Sequence, residues 1–138
     1  MIKKVAKVLK GRKIVEGIAE GEALVTRDPI SFMGSINPKT GYVIERGHEI
    51  EGQCLKGKIL VFPSAKGSTG GSYMLYDLVR NGVGPAGIVN AEADSVVVIG
   101  AIVADLPMVD RINIAEIETG DRLIIDGEKG IVKVIKEK

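Results

Sequence analysis

Only one cysteine occurs in the 138 residues of this chain. Cys54 by itself forms no intramolecular disulfide and cannot build a metal centre from several thiolates. A bias of charge is missing too: 19 basic residues against 18 acidic ones leave a formal +1, so no global field recruits nucleic acid or an anionic membrane. The chain has no apolar run of the roughly eighteen residues that a helical membrane span needs. Its first residues, MIKKVAKVLKGRK, lack the apolar stretch and small-residue cleavage site of a secretory signal. These absences together lead us to expect a cytoplasmic protein whose partner must be read from local features. Histidine is nearly absent as well. His48, in ERGHEIEG, has no second histidine and no nearby cysteine, so a surface-loop residue is the plainer expectation than a base, a phosphate carrier or a ligand.

What is present fits a single domain, residues 1–138, with 45% hydrophobic content and no repeat or low-complexity linker. The first third carries short β-type runs: VAKVL, the partly alternating RKIVEGIAEGEALVT, and YVIE after the turn-forming NPKTG. They predict antiparallel strands and loops. In the middle the pattern changes. KILVF (58–62) is a continuous apolar run, a Gly/Ser loop follows, and Tyr73, Leu75, Tyr76, Leu78 and Val79 then fall at helical spacing. Gly82, Gly84 and Pro85 stop that helix, and AGIVN (86–90) reads as the next buried strand, a right-handed parallel βαβ unit. Asp94 or Ser95 can start a second helix, with PMVD as a short strand after it. Near the end, DGEKG between RLII and IVKVI predicts a hairpin. The sum is an α/β fold: a central, partly parallel sheet with helices, plus a β-rich layer from the two ends of the chain.

The loop after KILVF is the strongest candidate for chemistry. Lys66, Gly67, Ser68, Thr69, Gly70, Gly71 and Ser72 run from a strand into a helix, where backbone N–H groups face an anion. The three glycines let a ligand approach the backbone, the hydroxyls add polar contacts, and Lys66 adds a point charge. An ordinary helix cap would need one hydroxyl and one glycine. This loop has more of both than that. By contrast, Gly52-Gln53-Cys54-Leu55-Lys56-Gly57-Lys58 imitates a phosphate loop by coincidence. Ile59 stands where the magnesium-binding Ser or Thr should be, and the stretch precedes a strand instead of following one. Gly52 and Gly57 are expected to shape turns. Cys54 reads as a small apolar filler. The basic residues Lys3, Lys4, Lys7, Lys10, Arg12 and Lys13 suit a lysine-protected edge strand. Residues 27–41, RDPISFMGSINPKTG, leave Ile30, Phe32 and Met33 either tucked into the core or presented for docking.

Several stretches in order, EGEALVTRDPISFMGSINPKTG, ILVFPSAKGSTGGSY, RNGVGPAGIVNAEAD and VVIGAIVADLPMVD, resemble the swivel-domain subunits of the aconitase X family. The resemblance implies a swivelling β/β/α domain, detached as its own chain, that closes over a large subunit carrying a four-iron four-sulfur cluster. The implied reaction is dehydration of (R)-5-phosphomevalonate to trans-anhydromevalonate 5-phosphate in an archaeal mevalonate route; other members dehydrate cis-3-hydroxy-L-proline. By residue matching, the serine that acts as proton acceptor in the wider family is Ser68 here. Lys66, Gly67, Thr69, Gly70, Gly71 and Ser72 are then the implied substrate contacts, with no metal ligand on this chain. Aconitase proper has an arginine two residues after its serine, a position held here by Gly70. The single cysteine agrees on separate grounds, since a cluster needs several thiolates and must sit on a partner. A non-catalytic anion-binding module or a swivelling carrier is the alternative of another class. A phosphohistidine carrier would need a histidine in the Gly/Ser loop, which has none.

Overall fold

A computed structural model describes residues 3–66 and 70–137. Three strands come first, β1 (Lys3–Lys10), β2 (Arg12–Val15) and β3 (Ile18–Val25). The middle of the chain alternates strand and helix: β4 (Ile59–Phe62), α1 (Gly71–Arg80), β5 (Gly87–Asn90), α2 (Ser95–Ala104) and β6 (Met108–Asp110). After a 3-10 turn at Ile114–Glu116, β7 (Arg122–Asp126) and β8 (Ile131–Glu137) form the expected hairpin.

The strands make one eight-stranded sheet in the order β1-β8-β7-β3-β4-β5-β6-β2. β3 to β6 are mutually parallel, and the outer strands pair antiparallel. β3 joins the two halves: its first part, Ile18 to Glu22, pairs antiparallel with β7, and its last part, Ala23 to Val25, pairs parallel with β4. β1 and β2 lie at opposite ends of the order although only Gly11 separates them, so the sheet curls until its edges meet. At that seam Gly11 N donates to Gly130 O at 2.8 Å. A Cβ on Gly11 would fall 2.1 Å from Asp110 O, so only glycine fits.

Curling gives the parallel strands two buried faces. All four residues of β4 are buried, and alternate side chains point to opposite sides. Ile59 and Val61 join Val89, Val109, Leu123, Ile125, Val132 and Val134 inside the barrel. Leu60 and Phe62 join Ile88, Met108, Leu75, Leu78 and Val97 beneath the helices. The layers are therefore β/β/α, the expected class, with the antiparallel strands forming the β-rich layer.

Residues 26–57 fold over the helix side with little regular structure. YVIE forms no strand of its own; the isolated bridges Ile36–Val43 and Tyr42–Cys54 hold it, together with a bond from Ile44 N to Ser35 O at 2.7 Å. Ile30 and Phe32 are tucked into the core, and Phe32 meets Phe62 edge-on with ring centroids 5.9 Å apart, whereas Met33 is half exposed. His48 is not the surface residue its sequence context suggests. It is 5% exposed, its Nδ1 accepts from Ile50 N at 3.2 Å, and its Nε2 lies 2.9 Å from Pro29 O. That tautomer pins two loop segments together and occupies both ring nitrogens. Gly52 and Gly57 make turns at φ +84° and +70°.

Candidate functional site

The parallel strands β3 to β6 end on one edge, the position where open α/β sheets present their loops to ligands. Four loops emerge there. The loop after β4, residues 63–70, is fastened to the one after β3 by backbone bonds: Ile30 N donates to Ser64 O at 3.2 Å, and Lys66 N donates to Ile30 O at 2.9 Å. Lys66 is also tied through its side chain, because Nζ donates to Glu45 Oε2 at 2.9 Å. The other oxygen of Glu45 accepts from the Ser35 hydroxyl, and Ser35 Oγ in turn accepts from Ser31 N at 3.2 Å. The Ser35 hydrogen bond, followed by Lys66, holds the Glu45 carboxyl below the usual range. Lys66 is thus a strut with a paired charge, where the sequence suggested a free cation. Glu45 carried no sequence signal, as its partner is 21 residues away.

Gly67, Ser68 and Thr69 lie outside the described residues. Immediately after them α1 begins, and the two helices begin differently. α2 has an ordinary cap: Asp94 accepts from Val97 N at 3.0 Å. At α1 the cap is Gly70, with no side-chain cap hydrogen bond and no acidic residue in the first turn. A serine or threonine cap among the described residues is therefore ruled out for α1. Its positive end is left uncompensated by its own first turn, which suits an external anion.

Gly71 has a packing reason for its bareness. A Cβ there would sit 3.2 Å from Val96 Cγ1 and 3.8 Å from Phe32 Cβ. It brings the start of α1 against α2 and the loop after β3. Ser72 continues α1 and lines a groove of about 380 Å3 with Tyr73, Tyr76, Ile99 and Val103. Of the seven loop residues named from the sequence, the structure thus gives Lys66 and Gly71 architectural duties and places Gly70 as a bare cap.

Around this loop the strand ends carry polar groups that the sequence did not single out. Asp110 closes β6 and is fully buried. It receives Arg12 Nε at 2.9 Å and Nη2 at 2.8 Å, and Ala93 N at 2.9 Å. Burial pushes its carboxyl up, but the Arg12 and Ala93 hydrogen bonds outweigh that and hold it below the usual range. Arg12 therefore joins β2 to the β5–α2 loop across the edge, in addition to shielding a strand. At the end of β3, Glu49 accepts from Arg27 N at 2.6 Å and from the Thr26 hydroxyl at 2.8 Å, and the Arg27 amide leads in lowering its carboxyl. A cleft of about 440 Å3 opens beside it, lined by Val25, Arg27, Glu49, Ile117, Glu118 and Thr119. With two carboxylates against one guanidinium it is ill-suited to a doubly anionic ligand. Asn90 ends β5 fully buried. Its Nδ2 donates to Phe62 O at 3.0 Å, and its Oδ1 is the only buried side-chain atom among the described residues with no hydrogen-bond partner.

The described residues contain no group of three or more His, Cys, Asp or Glu able to hold a metal ion, and no helix long and apolar enough to cross a membrane. Cys54 is partly exposed, its Sγ 3.6 Å from Thr40 O. These donors do not fit an iron-sulfur cluster. With both nitrogens engaged inside the fold, His48 does not fit a phosphohistidine carrier.

Comparisons with known proteins agree with the geometry. The family described as the aconitase X swivel domain matches residues 8–134. The phosphomevalonate dehydratase small subunit of Methanosarcina acetivorans is 48% identical over 133 residues, covering 94% of this chain and 92% of that protein. That of Thermococcus kodakarensis is 46% identical over 129 residues, covering 94% and 97%. The crystal structure of Thermococcus kodakaraensis aconitase X in its holo-form superposes with a TM-score of 0.93 at 46% identity, covering 95% of this chain and all of that one.

Proposed function

The chain belongs to the aconitase X swivel-domain family, and from that premise we propose that it is the small subunit of a phosphomevalonate dehydratase, a hydro-lyase that acts with a large subunit. The reaction converts (R)-5-phosphomevalonate to trans-anhydromevalonate 5-phosphate and water. The observation that carries this reading is sequence identity of 46–48% over more than nine-tenths of the chain to proteins with that one name.

Within this reading Ser68 is the proton acceptor. It takes the proton from the carbon next to the substrate carboxylate as the double bond forms and the hydroxyl departs. A serine oxygen is a poor base in water, so its negative form needs donors arranged in advance. The start of α1, three residues further on, with glycine as its cap residue and no acidic residue in its first turn, suits that task. Gly67, Thr69, Gly70, Gly71 and Ser72 would offer backbone and hydroxyl contacts to the substrate anions. Lys66, paired with Glu45, contributes by holding the loop. A four-iron four-sulfur cluster on the large subunit would supply Lewis acidity to the leaving hydroxyl; this chain holds none of its ligands. We place the pair in the cytoplasm, with residues 1–138 as one swivel-type unit.

The test is Ser68→Ala in the two-subunit enzyme, reconstituted without oxygen and assayed with (R)-5-phosphomevalonate and with cis-3-hydroxy-L-proline. Turnover of the first substrate should fall by at least about a hundredfold, with folding and subunit association intact. Near-normal turnover sinks the assignment of Ser68, and turnover of the proline alone by the wild type sinks the substrate.

A further inference from the structure

Helix α2 breaks the rule that a surface helix shows water a polar face. Its sequence, SVVVIGAIVA, has no charged residue between the capping Asp94 and Asp105. Only Val97, Gly100 and Ala101 are buried, while Ile99, Ile102 and Val103 are 51%, 58% and 58% exposed. The neighbouring helix extends the same apolar ground. Gly100 lets the helices approach closely, since a Cβ there would lie 3.0 Å from Leu75 Cδ2 and 3.2 Å from Ser72 Cα. Across that contact Tyr73 is 77% exposed and Tyr76 38%. With Ile99 and Val103 these tyrosines line the 380 Å3 groove. Leaving such a contiguous face in water is unfavourable by the area it presents.

We propose that this α1–α2 face is the docking surface for the dehydratase's large subunit, with the tyrosines as anchors. The inference rests on the function proposed above and goes beyond it by assigning the face. Two observations commit it to that occupant. First, the face reaches the start of α1: Ser72, in its first turn, lines the groove and follows Ser68 by four residues in the chain. A partner that brings its reaction centre to the start of α1 therefore also arrives at Tyr73. Second, the groove lining, Ser72, Tyr73, Tyr76, Ile99 and Val103, carries no charge and two tyrosines, the composition of a lasting interface, where transient contacts carry more polar groups.

The experiment compares wild type, Ile102→Glu and Val103→Lys as full small-subunit chains. Affinity for the separately purified large subunit is measured in the absence of oxygen and substrate. Both variants should keep the melting temperature of the isolated chain, because the side chains replaced are mostly in solvent. Binding to the large subunit should weaken at least tenfold, and raising the large-subunit concentration should restore turnover. Wild-type affinity in both variants overturns the proposal. So does a self-associating small subunit that Ile102→Glu makes monomeric while large-subunit binding is unchanged, a result that would assign the face to a second copy. Because binding is read without substrate, tight wild-type association with no turnover of (R)-5-phosphomevalonate would remove the functional reading and leave the docking surface standing.

Discussion

The two faces of the central parallel strands are built from the same segments to different ends. On the barrel side, Ile59, Val61, Val89 and Val109 meet only aliphatic neighbours, and regular antiparallel pairs close the layer. On the helix side the same strands contribute Leu60, Phe62, Ile88 and Met108 to a core that also takes in residues 30–55 through isolated bridges. Four of the six buried polar groups of the described residues, Thr26, Ser35, His48 and Asn90, belong to that second side or its rim; Asp110 ends β6, and Asp121, bonded by Lys136, precedes β7. An aliphatic core stabilises without directional demands, so it is a scaffold. A core whose polar side chains are hydrogen-bonded, all but Asn90 Oδ1 among those named, holds particular loops in particular places, which a reaction site needs. The glycine-capped start of α1 and the fastened 63–66 loop are on the side that has those groups.

The sharpest way to break this contrast is Ile125→Ala. Ile125 is fully buried in the barrel, and its loss should cost about 3 kcal/mol, or on the order of 10 °C in melting temperature. The turnover of each folded molecule should be unchanged. Thermal unfolding and active-site titration of the two-subunit enzyme measure both. A fall in turnover per folded molecule, with little loss of stability, would show that the barrel side is more than a scaffold.

Sequence pattern and structure agree best on the scaffold. KILVF, AGIVN and PMVD became β4, β5 and β6, Asp94 became a cap, and DGEKG became a hairpin turn. Each of these is a local signal, either an apolar run between breakers or a side chain that bonds its own backbone. The misses need partners distant in the chain. His48 is buried because Pro29 O, 19 residues away, meets its ring. Arg12 bonds Asp110 across 98 residues, and YVIE fails as a strand for lack of a neighbouring ladder. The curling of the sheet was illegible for the same reason, although Gly11, its seam, stood in plain view. The loop stood out by its composition, and two of its residues, Gly71 and Lys66, turned out to serve packing and anchoring.

A smaller effect tests the rim between the two faces. Asp110→Ala removes the acceptor of Arg12 and of Ala93 N, and should cost about 2 kcal/mol at neutral pH. Because the folded carboxyl is held below its ordinary value, its contribution is complete above about pH 4 and is lost as the pH falls through the lower folded value. Wild type and variant should therefore converge in melting temperature on acidification and diverge again on return to neutrality. A difference independent of pH between about 2 and 6 would mean that Asp110 acts through shape and not through charge.

The smallest expected effect on stability is also the most direct test of the site side. Glu45 serves two donors at once, Lys66 Nζ and the Ser35 hydroxyl, and Glu45→Gln keeps its shape while leaving one oxygen where there were two. Either Lys66 or Ser35 must then face an amide N–H. The Lys66 pair is well exposed, at 45% and 31%, so the stability lost should stay under about 1 kcal/mol. If the pair positions the loop that carries Ser68, kcat should fall severalfold while melting temperature barely moves, the reverse of the outcome for Ile125→Ala. Glu45→Asp, too short to reach both partners, should not restore it. If instead Glu45→Gln lost stability with unchanged turnover, the fastening of Lys66 would belong to the scaffold. The division between the two faces would then lie closer to Ser68 than the hydrogen bonds of residues 30–66 place it.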